Sequence, residues 1–296
     1  MPDFSYLPQV ALSGIGVGCI YGLIGIGFCV IYNASGIVNF AQGAFVMLGG
    51  MLTYVAFHQL GLPLLVSALL AIAVVAALGV VIDRLVVRPL WDRHATMFVM
   101  ILATLAVQIV VERLTLIGAG DQPQTLPPLT DLPPLMLGGI AVSFQFLWIV
   151  ALSLLLIVLL DLFFKKTRTG KAMRACAINR EAAALQGIPV SRMLALSFAL
   201  SAALGAIAGV LITPTQYTAF NVGVPFAISG FIAAIVGGFD RIRGALVGGL
   251  LIGVLDNLTA TYVTAQYRAA VPLLLLIVII LVRPQGLTGA PQGRVV

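Results

Sequence analysis

Charge is scarce in this sequence. Of its 296 residues only 9% are Asp, Glu, Lys or Arg, and two are histidine. Soluble domains carry about 25% charged residues, so a water-exposed globular surface is excluded. Cysteine is equally sparse. Cys19, Cys29 and Cys176 offer no disulfide framework and no metal-ligand spacing, and Cys19 and Cys29 read as packing residues in an apolar run. No acids and histidine combine into a catalytic constellation. The patterns GxSxG, HExxH and GxxxxGK[ST] do not occur, so hydrolase and nucleotide-binding chemistry are not encoded. Asp3, and no Lys or Arg, precedes the first apolar segment, so no cleavable signal peptide is expected.

What is present is apolar surface. Sixty-one per cent of residues are hydrophobic, the mean hydropathy is +1.13, and soluble domains use about 45–50% apolar residues. Repeated bilayer crossings accommodate that composition, and helices satisfy their own backbone there. The expected fold is an all-α polytopic membrane protein, a single transmembrane domain over 1–296. The net charge of +6 does not point to nucleic acid, because the basic residues follow membrane topology rather than one patch.

Apolar segments run over about 7–32, 37–57, 64–87 and 95–117, each near the roughly 20 residues a crossing needs. Pro123, Pro127, Pro128, Pro133 and Pro134 then exclude a continuous helix over 118–143. Further segments cover about 144–164, 193–212, 226–239, 245–255 and 269–282, the last stopping at Arg283-Pro284. One helix over 226–258 would be about 50 Å long and would bury Asp240, Arg241 and Arg243 at about 2.5–3.5 kcal/mol each. Two short helices meeting at a surface avoid that cost. The expectation is nine crossings, N-terminus outside and C-terminus cytoplasmic. Fourteen of the sixteen Lys and Arg residues then face the cytoplasm, with Arg113 and Arg268 outside.

The basic stretch 165–190 holds six of those cations by Arg180 and reads as the largest cytoplasmic loop. Asn179 can cap a helix, Glu181 sits in its positive first turn, Gly187 can take the left-handed position after it, and Pro189 forbids continuation. About two turns of alanine-rich helix lie between, shaped to enter another protein's groove. Elsewhere, Gly14, Gly18 and Gly22 share one helix face and suit close packing. The Gly237-Gly238 and Gly248-Gly249 pairs suit a tight hairpin. Tyr32 to Gly43 carries Asn33, Asn39 and Gln42 between glycines without any charge. It reads either as a broken helix lining a translocation pathway with Asn33, Asn39, Gln42 and Gly43 or as a neutral turn. Gln108 and Glu112 are four apart on one helix face with Arg113 adjacent, near the outer end of their segment. They read either as an ion pair at the interface or as part of substrate passage. Asp161 reads as a helix-end anchor, and Asp256-Asn257 as an outer cap or surface group.

Several of these motifs resemble one family. Glu181-Ala182-Ala183-x-x-x-Gly187 is similar to the core of the EAA loop by which ABC importer permeases contact their ATPases, without the family's downstream Ile-x-Leu-Pro. Ile31-Tyr32, Gly36 to Gly43 and Met47-Leu48-Gly49-Gly50 resemble the opening signature of LivH-type permeases of branched-chain amino acid importers, with Gln42 where the family usually has His. Thr169-Gly170-Lys171-Ala-Met-Arg174-Ala, Ala234-Ile-Val-Gly237-Gly238 and Leu281 to Leu287 are similar as well. The resemblance implies a non-enzymatic permease subunit of an inner-membrane importer for branched-chain or hydrophobic amino acids. Its implied partners are the lipid bilayer, a second LivM-like permease, two cytoplasmic ATPases that carry the ATP and Mg, and a periplasmic binding protein. It assigns ATPase docking to Gly170, Lys171, Arg174, Asn179, Arg180, Glu181, Ala182, Ala183 and Gly187. No cofactor or metal is expected in this chain. Same-family permeases for urea, amides or aromatic acids are the near alternative. An ion-coupled secondary transporter is the alternative of another class, which would require a paired intramembrane acid or histidine. An aquaporin-type channel lacks its Asn-Pro-Ala signatures here, and an intramembrane enzyme ranks last.

Overall fold

The computed structural model describes residues 6–137, 140–239, 241–268 and 270–289. Expectations resting on Asp3, Asp240 and Arg294 lie outside the described residues. Twelve helices follow one another in the described chain. They are α1 (Leu7–Ser35), α2 (Gln42–His58), α3 (Leu64–Ile82), α4 (Arg88–Asp92), α5 (Met97–Ala119), α6 (Phe144–Lys166), α7 (Arg168–Ile178), α8 (Arg180–Leu185), α9 (Val190–Ile212), α10 (Gly223–Gly237), α11 (Ile242–Tyr262) and α12 (Ala270–Val282). A π-helical turn, Asp83–Val87, joins α3 to α4. Pro89 lies just beyond it and cannot donate to the preceding turn.

Seven spans are long and apolar enough to cross a membrane: α1, α3 through α4, α5, α6, α9, α11, and Ala265 through α12. Two of the nine expected crossings fall short on length, α2 with 17 residues and α10 with 15. The break expected at 240–244 is present a few residues earlier, since α10 ends at Gly237 and α11 starts at Ile242. The second piece is a full 21-residue helix rather than a short one. Its polar residues Asp256, Asn257 and Thr259 interrupt the apolar run in sequence but not the helix.

Helix α1 is the central post, buried over most of its length. Its glycines explain how. A methyl group on Gly14 would stand 2.7 Å from the Val254 Cα, and one on Gly18 would stand 2.7 Å from the Leu250 Cα. Gly249 and Gly253 of α11 press back against Gly18 and Gly22. The small face thus packs backbone on backbone, antiparallel. Gly237 lies against Gly244 and Gly248 against Ala233, which closes the α10–α11 hairpin as expected. By contrast α3, α5, α6 and α12 keep many large apolar side chains exposed.

The proline-rich segment between α5 and α6 is folded without helix. Gln124 pairs with Thr218, and a two-stranded hairpin of β1 (Leu135–Leu137) and β2 (Ile140–Val142) forms. Gln145 donates to the Leu211 carbonyl (2.9 Å) and accepts from the Leu129 N–H (3.1 Å), so one buried amide ties this segment to the end of α9.

Candidate functional site

The loop 165–190 folds into two short helices at one end of the bundle. Thr167 Oγ1 accepts from the Gly170 N–H (2.9 Å) and starts α7. Asn179 Oδ1 accepts from the Ala182 N–H (3.0 Å) and starts α8, with Glu181 in the first turn. Past α8, Gly187 takes φ +78. Its N–H donates to the Ala184 carbonyl (2.9 Å), and the Ile188 N–H donates to the Ala183 carbonyl (3.1 Å). These are the two bonds of a Schellman ending. Both cap readings are therefore present in the structure.

The nine residues assigned to docking divide into two sets. Gly170 is buried against the Phe163–Phe164 backbone, Ala183 is buried, and Arg180 lies over the Trp91 ring at 4.0 Å. These three hold the loop onto the bundle. Lys171, Arg174, Asn179, Glu181, Ala182 and Gly187 are exposed. Beside them Ile178 and Leu185 are 86% and 88% exposed, two apolar side chains on the protruding surface that were not singled out from sequence. Met173 and Cys176 form the inner face of α7, and burial pushes the Cys176 thiol above its ordinary range. Asp161 accepts from Lys165 (2.8 Å) within α6, near its end, and also from Arg243 (2.9 Å), which ties α6 to α11.

The second region is the interruption between α1 and α2. Gly36 ends α1 at φ +63, its N–H donating to the Tyr32 carbonyl (2.6 Å). Residues 37–41 then run without helix, with Ile37, Asn39 and Ala41 buried. The Phe40 N–H donates to Thr104 Oγ1 (3.2 Å), and the Ala44 N–H donates to Gln108 Oε1. Gln108 is the twelfth of the 23 residues of α5, about 17 Å from either end at 1.5 Å per residue. The start of α2 therefore lies at mid-depth. It is met there by the start of α10, for a methyl group on Gly43 would stand 2.6 Å from the Gly223 carbonyl oxygen. From this joint the two helices leave in opposite directions. Gly50 of α2 reaches Thr213 and Thr218 beyond α9, whereas Phe239, past α10, meets the Tyr32 ring at 4.7 Å near the docking loop.

Of the four residues assigned to a pathway, three sit at this joint. Asn39 Oδ1 accepts from the Ala41 N–H (3.1 Å). Gln42 is fully buried and spent on Ser201, donating to its carbonyl (3.2 Å) and accepting from its hydroxyl (2.6 Å), while that hydroxyl also approaches the Gly27 carbonyl (2.8 Å). Gly43 is the contact with Gly223. Asn33 lies elsewhere, on the last turns of α1, where it borders a cavity of about 780 Å³ with Lys165, Arg174, Arg241 and Arg243. Gln42 thus ties α2 to α9 in this conformation, Asn39 holds the turn before α2, and Asn33 lines the cavity.

Three polar readings need correction. Gln108 is not near an outer helix end but central and 3% exposed, and Glu112 and Arg113 form no ion pair among the described residues. Asp256 is not a surface group. It is 3% exposed and accepts from Tyr21 Oη (2.9 Å) and from Arg268 Nε (2.8 and 2.9 Å). Asp83, not considered from sequence, is 1% exposed with no hydrogen-bond partner on either oxygen. Sequence offered only weak signals for these groups, namely single polar letters in apolar runs.

Known proteins agree with this architecture. A family model described as the permease component of branched-chain amino acid transport systems matches residues 10–280. The chain is 32% identical over 306 residues to the high-affinity branched-chain amino acid transport system permease protein BraD of Pseudomonas aeruginosa, covering 99% of both. It is 31% identical over 307 residues to the permease protein LivH of Escherichia coli, covering 98% of both. Among solved structures, PsaBC from Streptococcus pneumoniae in complex with Fab shares the fold at a TM-score of 0.52 and 12% identity, over 96% of this chain and 94% of that one. The chain belongs to the family of branched-chain amino acid transport system permease components.

Proposed function

We propose that this chain is one membrane subunit of an ABC importer that carries branched-chain or other hydrophobic amino acids across the bacterial inner membrane. It lies N-terminus outside and C-terminus cytoplasmic, with nine embedded helices, of which α2 and α10 start at mid-depth. It pairs with a second, LivM-like permease. Two ATPases bind on the cytoplasmic side, carrying the ATP and Mg, and a periplasmic binding protein delivers substrate. The observation that carries the reading is the doubly capped, protruding α7–α8 element with exposed Ile178 and Leu185, on a chain that spans nearly the full length of permease relatives. Arg180 over Trp91 and Gly170 against α6 make that element rigid enough to pass a push into the bundle. ATP binding and hydrolysis on the partners then rock the permease pair between inward- and outward-facing states.

The test is reconstitution. The chain is purified with its second permease and two ATPases, placed in proteoliposomes, and supplied with binding protein and radiolabelled leucine. ATP-dependent uptake that excess isoleucine competes and excess urea does not is the expected outcome. Uptake driven by an ion gradient in the absence of ATP favours the secondary-transport reading instead.

A further inference from the structure

The joint where α2 and α10 begin holds an unusual arrangement of hydrogen-bond donors. Gln108 spends its oxygen on the Ala44 N–H and Asn39 spends its oxygen on the Ala41 N–H. Gln108 thereby caps the start of α2 and Asn39 holds the turn before it, and neither NH2 group has a partner, although both are buried. A buried donor left unpaired costs about 1–3 kcal/mol. Gln108 Nε2 is aimed at the first residue of α10, lying 3.3 Å from the point a Gly223 side chain would occupy. Neither helix carries a side-chain cap on its own first residue, so two positive helix ends converge on the same spot. All of this sits at mid-depth, with no Lys, Arg, Asp or Glu among the residues that form it.

From this we infer that the α2–α10 joint, with Gln108 and Asn39 as donors, is a transient binding site for the carboxylate of the transported amino acid. The inference rests on the amino-acid reading above. The chemistry is one-sided, since the site offers donors and positive helix ends, which suit a group that only accepts. Helix ends in the middle of a membrane serve anionic groups of substrates in this way. The absence of a full positive charge keeps the site weak, and a transport site must release what it binds. In the present conformation Gly43 and Gly223 are in contact and the joint is closed. Separation of α10 from α2 uncovers the Gln108 NH2 group, which couples access to the site with the rocking of the bundle. Asn33 and its cavity then form the route on the docking-loop side rather than part of the site.

Two variants of the complete reconstituted complex test this. Gln108→Met keeps the volume and removes both the NH2 donor and the oxygen that accepts from Ala44. Leucine uptake should fall about tenfold or more while complex yield stays within about twofold of wild type. Gln108→Glu keeps the oxygen that accepts from Ala44 but places a carboxylate where the substrate carboxylate would sit. Its uptake should therefore also fall about tenfold or more at unchanged yield. Gln108→Met importing within about twofold of wild type overturns the inference. So does Gln108→Glu importing within about twofold of wild type, or a loss of yield in step with uptake in both variants, which marks the amide as structural. A wild-type complex that imports no leucine removes the amino-acid reading itself, and this inference with it.

Discussion

Asp256 and Arg268 are unequal partners. Asp256 is 4% exposed at its side chain and Arg268 39%. Removing one member of a buried pair costs about 3–5 kcal/mol because the other is left uncompensated. Arg268→Leu strands a buried carboxylate, whereas Asp256→Asn leaves an arginine that still reaches water and an oxygen that still accepts from Tyr21. Arg268→Leu should therefore lower the melting temperature in detergent clearly more than Asp256→Asn, and the reverse order would refute this account of the pair. Gly187 fails differently. Nothing lies within 4 Å of a methyl group placed there, so Gly187→Val meets no clash, only a left-handed backbone that costs about 1–2 kcal/mol for a side-chain-bearing residue. It should fray the end of α8 and lower ATP-driven uptake several-fold at unchanged expression. Wild-type uptake at equal expression would show that the Schellman ending is not needed for coupling. Gly187 and Asn179 were legible from sequence because capping is local. The Asp256 cluster was not, because Tyr21 and Asp256 are 235 residues apart.

Between α1 and α11 the fit is backbone against backbone, and glycine is the only residue it admits. A side chain at Gly18 would begin 2.7 Å from the Leu250 Cα and 2.8 Å from the Gly249 carbonyl oxygen. Overpacking a well-filled site costs about 1–3 kcal/mol and more against backbone. Gly18→Leu should sharply reduce the yield of folded complex, while Gly118→Leu, facing open space at the end of α5, should not. Equal yields of the two, read by size-exclusion chromatography, would remove the glycine face as the reason α1 can be central. The face itself was readable from the four-residue spacing of Gly14, Gly18 and Gly22. Its partner was not, nor was the fact that α2 and α10 start inside the bundle, because an apolar run has the same composition wherever along the membrane normal it begins.

Over the whole molecule, orientation is the feature on which the proposed function depends. Thr125 and Arg168 are both exposed and lie at opposite ends of α6, in the proline-rich segment before it and at the start of α7 after it. With Cys19, Cys29 and Cys176 replaced, a cysteine at position 125 should react with an impermeant thiol reagent added outside intact cells, and one at position 168 should react only after permeabilisation. Labelling of position 168 from outside would invert every assignment of face, because the basic residues are distributed by side rather than by patch.

The sequence alone determined that this chain is helical and membrane-embedded, and how the α8 helix starts and stops. Each of those follows from composition or from contacts within a few residues. Tertiary structure decided which polar residues are buried and with whom, that α11 is a full helix and not a short one, and that Gly43 of α2 and Gly223 of α10 meet at mid-depth. In an apolar chain the few polar letters look alike. Which of them is a surface group, a locked ion pair or an unpaired donor is set by what another segment brings beside it, as Arg268 does for Asp256 and as α10 does for Gln108.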